Sequence, residues 1–189
     1  MKFLSVAVET GKDRDYLWGI DLKTNQFVYC ELRDSIKEKL TTIGDVLVFK
    51  EEYLKGSHEV KTIDQIEIEK SSRDTMINIL NSMASYPACV EQNFVKNNVL
   101  KIRRINGLET IGNRVAANVD ICGIEGQYKA IINDAKWVNF WKNESDNDIT
   151  NEDLILALND IKNRFLILDY RQQFFGNELV FSGMVVDYG

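Results

Sequence analysis

The chain has 189 residues, 44% of them hydrophobic and 28% charged, which excludes a disordered polypeptide and suits one sizeable domain or two small ones. Its formal net charge of -6 argues against broad electrostatic adhesion to nucleic acid or to an anionic membrane, but leaves room for a local basic patch. The three cysteines, Cys30, Cys89 and Cys122, lie far apart with no CxxC pair and no Cys/His cluster. That pattern points to free, buried thiols in a reducing compartment and away from a structural zinc.

The first apolar run, after Lys2, stops at Glu9, too soon for a signal sequence. Its alternation predicts a strand over 2–8. No stretch approaches the ~18 apolar residues of a membrane helix, so the expected location is cytoplasmic, with no membrane partner. Strands follow at 15–22 and 26–32, joined by a hairpin turn at Lys23, Thr24 and Asn25. A short helical turn is expected over 35–42, and further strands at 45–49 and 60–68.

From 73 to 84 the period changes. Met76, Ile77, Leu80, Met83 and Ala84 recur at helical spacing, Ser72 can cap the helix, and Asp74 sits in its first turn. The only proline, Pro87, follows, and the helix marks the boundary between two halves, assigned as domains 1–92 and 93–189. Strands resume at 99–105, 115–121 and 127–132. Residues 134–142 place Trp137, Phe140 and Trp141 on one side of a helical turn, as a hydrophobic plug. A helix follows Thr150, with Thr150 and Asp153 as a capping pair and Leu154, Ile155, Leu158 and Ile161 as its buried stripe. Two strands, RFLILDY and ELVFSGMVVDY, close the chain. Many short strands with few helices define a mainly β protein: two tandem, small OB-like β-barrels packed together.

Several short elements carry a family likeness: Gly19-Ile20-Asp21 in the hairpin, Asp45-Val46, Gly126-Gln127-Tyr128 leading to Asp134 and Trp137, and the closing Phe165–Leu168 and Phe181–Val186. In their order the chain resembles the dual OB-containing domain proteins of bacteria and their mobile elements. It departs from that pattern at Asn133, where a threonine is usual, and in a hairpin arm that lacks the expected Cys or Arg. The resemblance implies two OB-like halves, no catalysis, and, by fold analogy alone, nucleic-acid handling.

Two constellations could carry function. In the hairpin, Tyr16 and Trp18 share one strand face and Phe27 and Tyr29 another. If the two faces coincide they form a platform for stacking bases; otherwise the rings fill the core. From Lys96 to Arg114, five basic residues stand against Glu109 alone. Lys101 and Arg103 are expected to point to solvent together, with Arg104 on the apolar face; a solvated strand paired with nearby carboxylates is the competing explanation.

Other features carry less. The acidic run Glu144, Asp146, Asp148, Glu152 and Asp153 fails the EF-hand spacing. His58, the only histidine, lies in an apparent loop with no partner assignable, and no catalytic motif, metal cluster or cofactor signature is present. The expected function is therefore a non-enzymatic binding module. Its partner is single-stranded nucleic acid, held by Tyr16, Trp18, Phe27, Tyr29, Lys101, Arg103 and Arg104. The alternative is a protein-interaction module or a subunit of a larger, defence-related assembly, since barrel edges can accept a partner's strand.

Overall fold

The computed structural model describes residues 2–10, 15–32, 46–48, 54–56, 61–63, 67–70, 72–84, 90–91, 94–95, 99–112, 114–134, 137, 139–140, 150–168, 174–175 and 178–187. The chain divides into two compact units, Met1–Met76 and Ile77–Gly189. The first contains β1 (Lys2–Thr10), β2 (Asp15–Asp21), β3 (Gln26–Leu32), β4 (Val46–Val48), β5 (Leu54–Gly56), β6 (Lys61–Ile63) and β7 (Glu67–Glu69). The division falls inside α1 (Arg73–Ala84). The second unit adds β8 (Val90–Glu91), β9 (Phe94–Val95), β10 (Val99–Ile111), β11 (Arg114–Ile121), β12 (Gln127–Ile132), α2 (Asn151–Asp160), β13 (Arg164–Leu168), β14 (Phe174–Phe175) and β15 (Glu178–Val186). The expected helical turn over 35–42 and the environment of His58 lie outside the described residues. Among those described, no helix is long and apolar enough to cross a membrane.

In the first unit the strand order is β5-β6-β3-β2-β1-β4-β7. β1 lies antiparallel between β2 and β4, β3 runs parallel to β6, and β4 pairs antiparallel with β7. Among the described residues this sheet is an open row rather than a barrel, ending in β5 on one side and β7 on the other. In the second unit the order is β12-β11-β10-β13-β15-β14, and β12 also runs parallel to β15. β12, β11, β10, β13 and β15 thus each pair with two others of the five, and the sheet curls into a partly open ring with β14 as an added edge on β15. β10 meets β13 only over Val99–Lys101.

The two units repeat one plan. In each, the first strand lies between the second and fourth, the third runs parallel to a later strand (β6 in the first unit, β15 in the second), and the fourth pairs antiparallel with a later strand (β7 and β15). This is the OB-like order. Even a main-chain contact recurs: Leu22 N–H donates to Lys2 O at 3.0 Å, and Cys122 N–H donates to Lys101 O at 2.9 Å. A separate two-stranded sheet joins β8 and β9.

Local chemistry explains the Gly-Ile-Asp element. A Cβ on Gly19 would stand 2.2 Å from the Phe3 ring and 2.6 Å from Leu4 O, so only glycine lets Phe3 cross the strand there. Asp21 then ties the turn: its Oδ1 accepts from Lys23 N at 2.9 Å and its Oδ2 accepts from the Thr24 hydroxyl at 2.9 Å. Asn25 takes the left-handed conformation (φ 55) that asparagine tolerates. Both expected helix caps are present, with Thr75 N–H donating to Ser72 Oγ at 3.2 Å and Asp153 N–H to Thr150 Oγ1 at 3.2 Å.

The core of the second unit gathers Ile102, Ile105 and Leu108 of β10, Val115, Ala117 and Val119 of β11, and Leu154 and Leu158 of α2. Trp137 joins it, stacked on Phe140 at 5.4 Å between ring centroids, so this part of the aromatic plug is core; Trp141 lies outside the described residues. Cys30 is buried as expected, but Cys122 is exposed because it sits in the turn after β11; Cys89 lies outside the described residues.

Beyond Lys101, the β10 edge that faces β13 has no strand partner among the described residues, and its backbone groups need other partners. Polar side chains supply them. Asn159 Oδ1 accepts from Ile105 N at 2.9 Å while its Nδ2 donates to Ile105 O at 2.8 Å, and Asn151 Nδ2 donates to Leu108 O at 3.3 Å. Arg164, buried at 7% exposure, completes the clasp. Its Nη1 donates to Leu158 O (3.0 Å), Asn159 O (2.6 Å) and Ile161 O (2.6 Å), the open carbonyls at the end of α2, and its Nη2 donates to Arg103 O (2.6 Å). Burial pushes the guanidinium below its usual pKa, with Cys122 acting in the opposite sense.

Replacing Arg164 with Met keeps the stem but strips these carbonyls of their donor. Arg164→Met should lower the free energy of unfolding by about 3 kcal/mol or more, measured by urea denaturation. A loss under about 1 kcal/mol would show that water serves those carbonyls equally well.

Candidate nucleic-acid interface

The β10–β11 ladder contains two irregularities that decide what faces outward. Ile102 pairs with Ile121 and Arg104 with Asp120, leaving Arg103 as an extra residue; Ile105 pairs with Val119 and Gly107 with Asn118, leaving Asn106 as another. A bulge of this kind interrupts strict alternation. As a result Arg103 and Arg104 are both exposed, where regular alternation would have sent Arg104 inward. Ile102 and Ile105 on either side remain in the core.

Around them, Arg103 Nη2 lies 3.4 Å from Asp120 Oδ2, and Asn106 Nδ2 donates to Asp120 Oδ1 at 3.0 Å. Farther along the sheet, Lys129 Nζ on β12 reaches Glu109 Oε1 on β10 at 2.8 Å. This bridge spans β11 between its Ala116 and Asn118 rungs, and Ala116 is fully buried. Arg114, at the start of β11, is exposed. Arg104 and Arg114 hold no ion pair or side-chain hydrogen bond among the described residues.

Lys101 does not belong to this strip. It is half-buried, with Nζ donating to Asn81 Oδ1 at 2.9 Å and Asn163 Oδ1 at 3.4 Å, and lying 5.8 Å from the Phe165 ring centroid. Asn163 passes the network on, donating to Asp187 Oδ2 at 3.1 Å. The expectation that Lys101 faces solvent with Arg103 is therefore corrected: its ammonium is held by α1 and the turn before β13.

The aromatic hairpin is also corrected. The ladder sets Trp18 opposite Tyr29 and Ile20 opposite Phe27, so the two strands meet in the register that a shared face requires. But Trp18, Ile20 and Leu4 have 0% exposure, and so do Phe3 and Leu17 on the other face. Strands covered on both sides read as nearly continuous apolar runs, as β1 and β2 do. Tyr16 and Phe27 are half-buried, and the Tyr29 side chain lies outside those described. A buried Trp18 offers no stacking surface.

The shared strand plan makes the contrast sharper. Matching Lys2–Leu22 to Lys101–Cys122 sets Ile20 of the first unit at the position of Asp120 in the second. The face that carries Arg104 and Asp120 in one unit carries buried Leu4, Ile20 and Trp18 in the other. Among the described residues no group of three or more His, Cys, Asp or Glu side chains could hold a metal ion.

No family model matches the chain, and no curated protein matches it. Among solved structures, the tetrameric p202 HIN2 covers 99% of this chain and 91% of its own at 10% identity and a TM-score of 0.33. The Ifi202 HINa domain in complex with 20-base-pair double-stranded DNA covers 72% and 75% at 7% identity and TM-score 0.34. A murine DNA-binding protein bound to double-stranded DNA covers 70% and 75% at 5% identity and TM-score 0.32. The OB-like assignment rests on the strand pairings themselves.

Trp18→Ala should behave as a core truncation, lowering the free energy of unfolding by about 3–5 kcal/mol in denaturant titrations. A loss below about 1 kcal/mol would return Trp18 to the surface and to the list of stacking residues.

Proposed function

We propose that this protein is a non-enzymatic module that binds single-stranded nucleic acid through phosphate contacts on the outward face of β10, β11 and β12. The observation that carries this reading is the bulge at Arg103, which sets two neighbouring guanidiniums on the open face of an OB-like sheet. Guanidinium forks suit phosphate oxygens, and the second and third strands of this fold are its usual oligonucleotide surface. Arg103, Arg104, Lys129 and Arg114 form the strip, and its cations stand out against a chain of net charge -6.

With Trp18 buried, the grip lacks that ring for base stacking. Binding should therefore be weakly dependent on sequence and strongly dependent on salt. The tandem units with one strand plan also support a place among the dual OB-containing domain proteins, with the second unit as the ligand-bearing one.

The test is fluorescence anisotropy of labelled single-stranded RNA and DNA at several salt concentrations. Wild type should bind at low salt and weaken steeply as salt rises. The Arg103→Ala/Arg104→Ala double variant should bind more weakly, and its log Kd against log salt slope should shrink by about 1.4, at about 0.7 per phosphate contact on a single strand. Tighter binding of duplex reassigns the ligand; no binding at low salt hands the lead to a protein partner.

A further inference from the structure

Asp120 stands in the middle of the basic strip, where a binding face for phosphates would be expected to exclude a carboxylate. It is no bystander. Its Oδ2 is 3.4 Å from Arg103 Nη2, its Oδ1 accepts from Asn106 at 3.0 Å, and it is the direct ladder partner of Arg104. The Asp120 side chain is 20% exposed, whereas that of Arg103 is 67% exposed. The carboxylate is thus seated against the sheet while the guanidinium lies over it in solvent. Exposed pairs of this kind are weak and readily exchanged for another anion. A second ion pair lies on the same face, Lys129 Nζ reaching Glu109 Oε1 at 2.8 Å, there with the carboxylate as the more exposed member.

Resting on the functional reading above, we infer that Asp120 is a built-in competitor that sets the affinity and ligand class of the strip. In the free protein it occupies Arg103. A phosphate must take Arg103 from it and then sit beside its charge. A single phosphate gains too little from one exchanged contact to hold the site. A strand that meets Arg103, Arg104, Lys129 and Arg114 together spreads that cost over several contacts. The fitting ligand is a linear polyanion of singly charged phosphodiesters, and isolated nucleotides or inorganic phosphate are rejected.

The test compares wild type, Asp120→Asn, and Asp120→Asn in the Arg103→Ala/Arg104→Ala background. The probes are a labelled single-stranded 12-mer and, as competitor, a mononucleotide. Asparagine keeps the shape and can still accept from Asn106, so the variant removes charge rather than packing. Asp120→Asn should bind the 12-mer about threefold more tightly at low salt, and the mononucleotide should become a measurable competitor. Both gains should vanish without the two arginines. Unchanged or weaker binding by Asp120→Asn, with wild-type binding that still depends on Arg103 and Arg104, overturns this inference alone: the carboxylate would then orient the arginines. If neither wild type nor Asp120→Asn binds the 12-mer, the functional reading falls and this inference falls with it.

Discussion

The Arg164 guanidinium organises the second unit. It has four backbone carbonyl acceptors, three of them at the end of α2 and one at Arg103. A buried charge demands such satisfaction, and the end of a helix offers carbonyls with partial negative charge. The same contacts fix the turn from α2 into β13 and seize the backbone where β10 bulges. Asn159 and Asn151 extend the clasp to Ile105 and Leu108. A helix thereby takes the place of a strand along an edge that would otherwise leave polar groups unmet.

That clasp links the core to the surface. Arg164 holds the Arg103 carbonyl at the point where the chain gains one residue against β11, and the two consecutive arginines there are both exposed. In the first unit the corresponding face carries Leu4, Ile20 and Trp18, all without exposure. One strand plan therefore carries two kinds of face: a buried apolar one in the first unit and an exposed charged one in the second. The basic strip is small and interrupted by Asp120 and Glu109, in a chain that is acidic overall.

Much of the fold was legible in the residues. Period-two apolar runs located β1, β2, β3, β10, β11 and β12, and the change of period with Ser72 and Thr150 located both helices, because these signals are local. The candidate site was only half legible. Charge density between Lys96 and Arg114 pointed to the right strand. The bulge at Arg103 is not legible there: nothing in the local sequence marks the break in alternation that turns Arg104 outward. Lys101 reads as solvent-facing in the sequence because Asn81 and Asn163, which hold it, lie in other elements. The hairpin register that the platform required is present, but the apolar residues on both faces of β1 and β2 were the stronger signal, and they marked Trp18 as core. The turn of the Gly-Ile-Asp element was locally encoded, through Asp21 and its bonds to Lys23 and Thr24.

The central claim is that the second unit's outward strip, and not the aromatic hairpin, receives nucleic acid. Nuclear magnetic resonance titration of the full chain with a single-stranded oligonucleotide tests it most directly, following backbone amides and arginine Nε–H signals. The account predicts shifts concentrated at Arg103, Arg104, Asn106, Asp120 and Lys129, with the signals of Tyr16, Trp18 and Phe27 unmoved. Shifts centred on the hairpin, with the Arg103 and Arg104 signals unchanged, would contradict it.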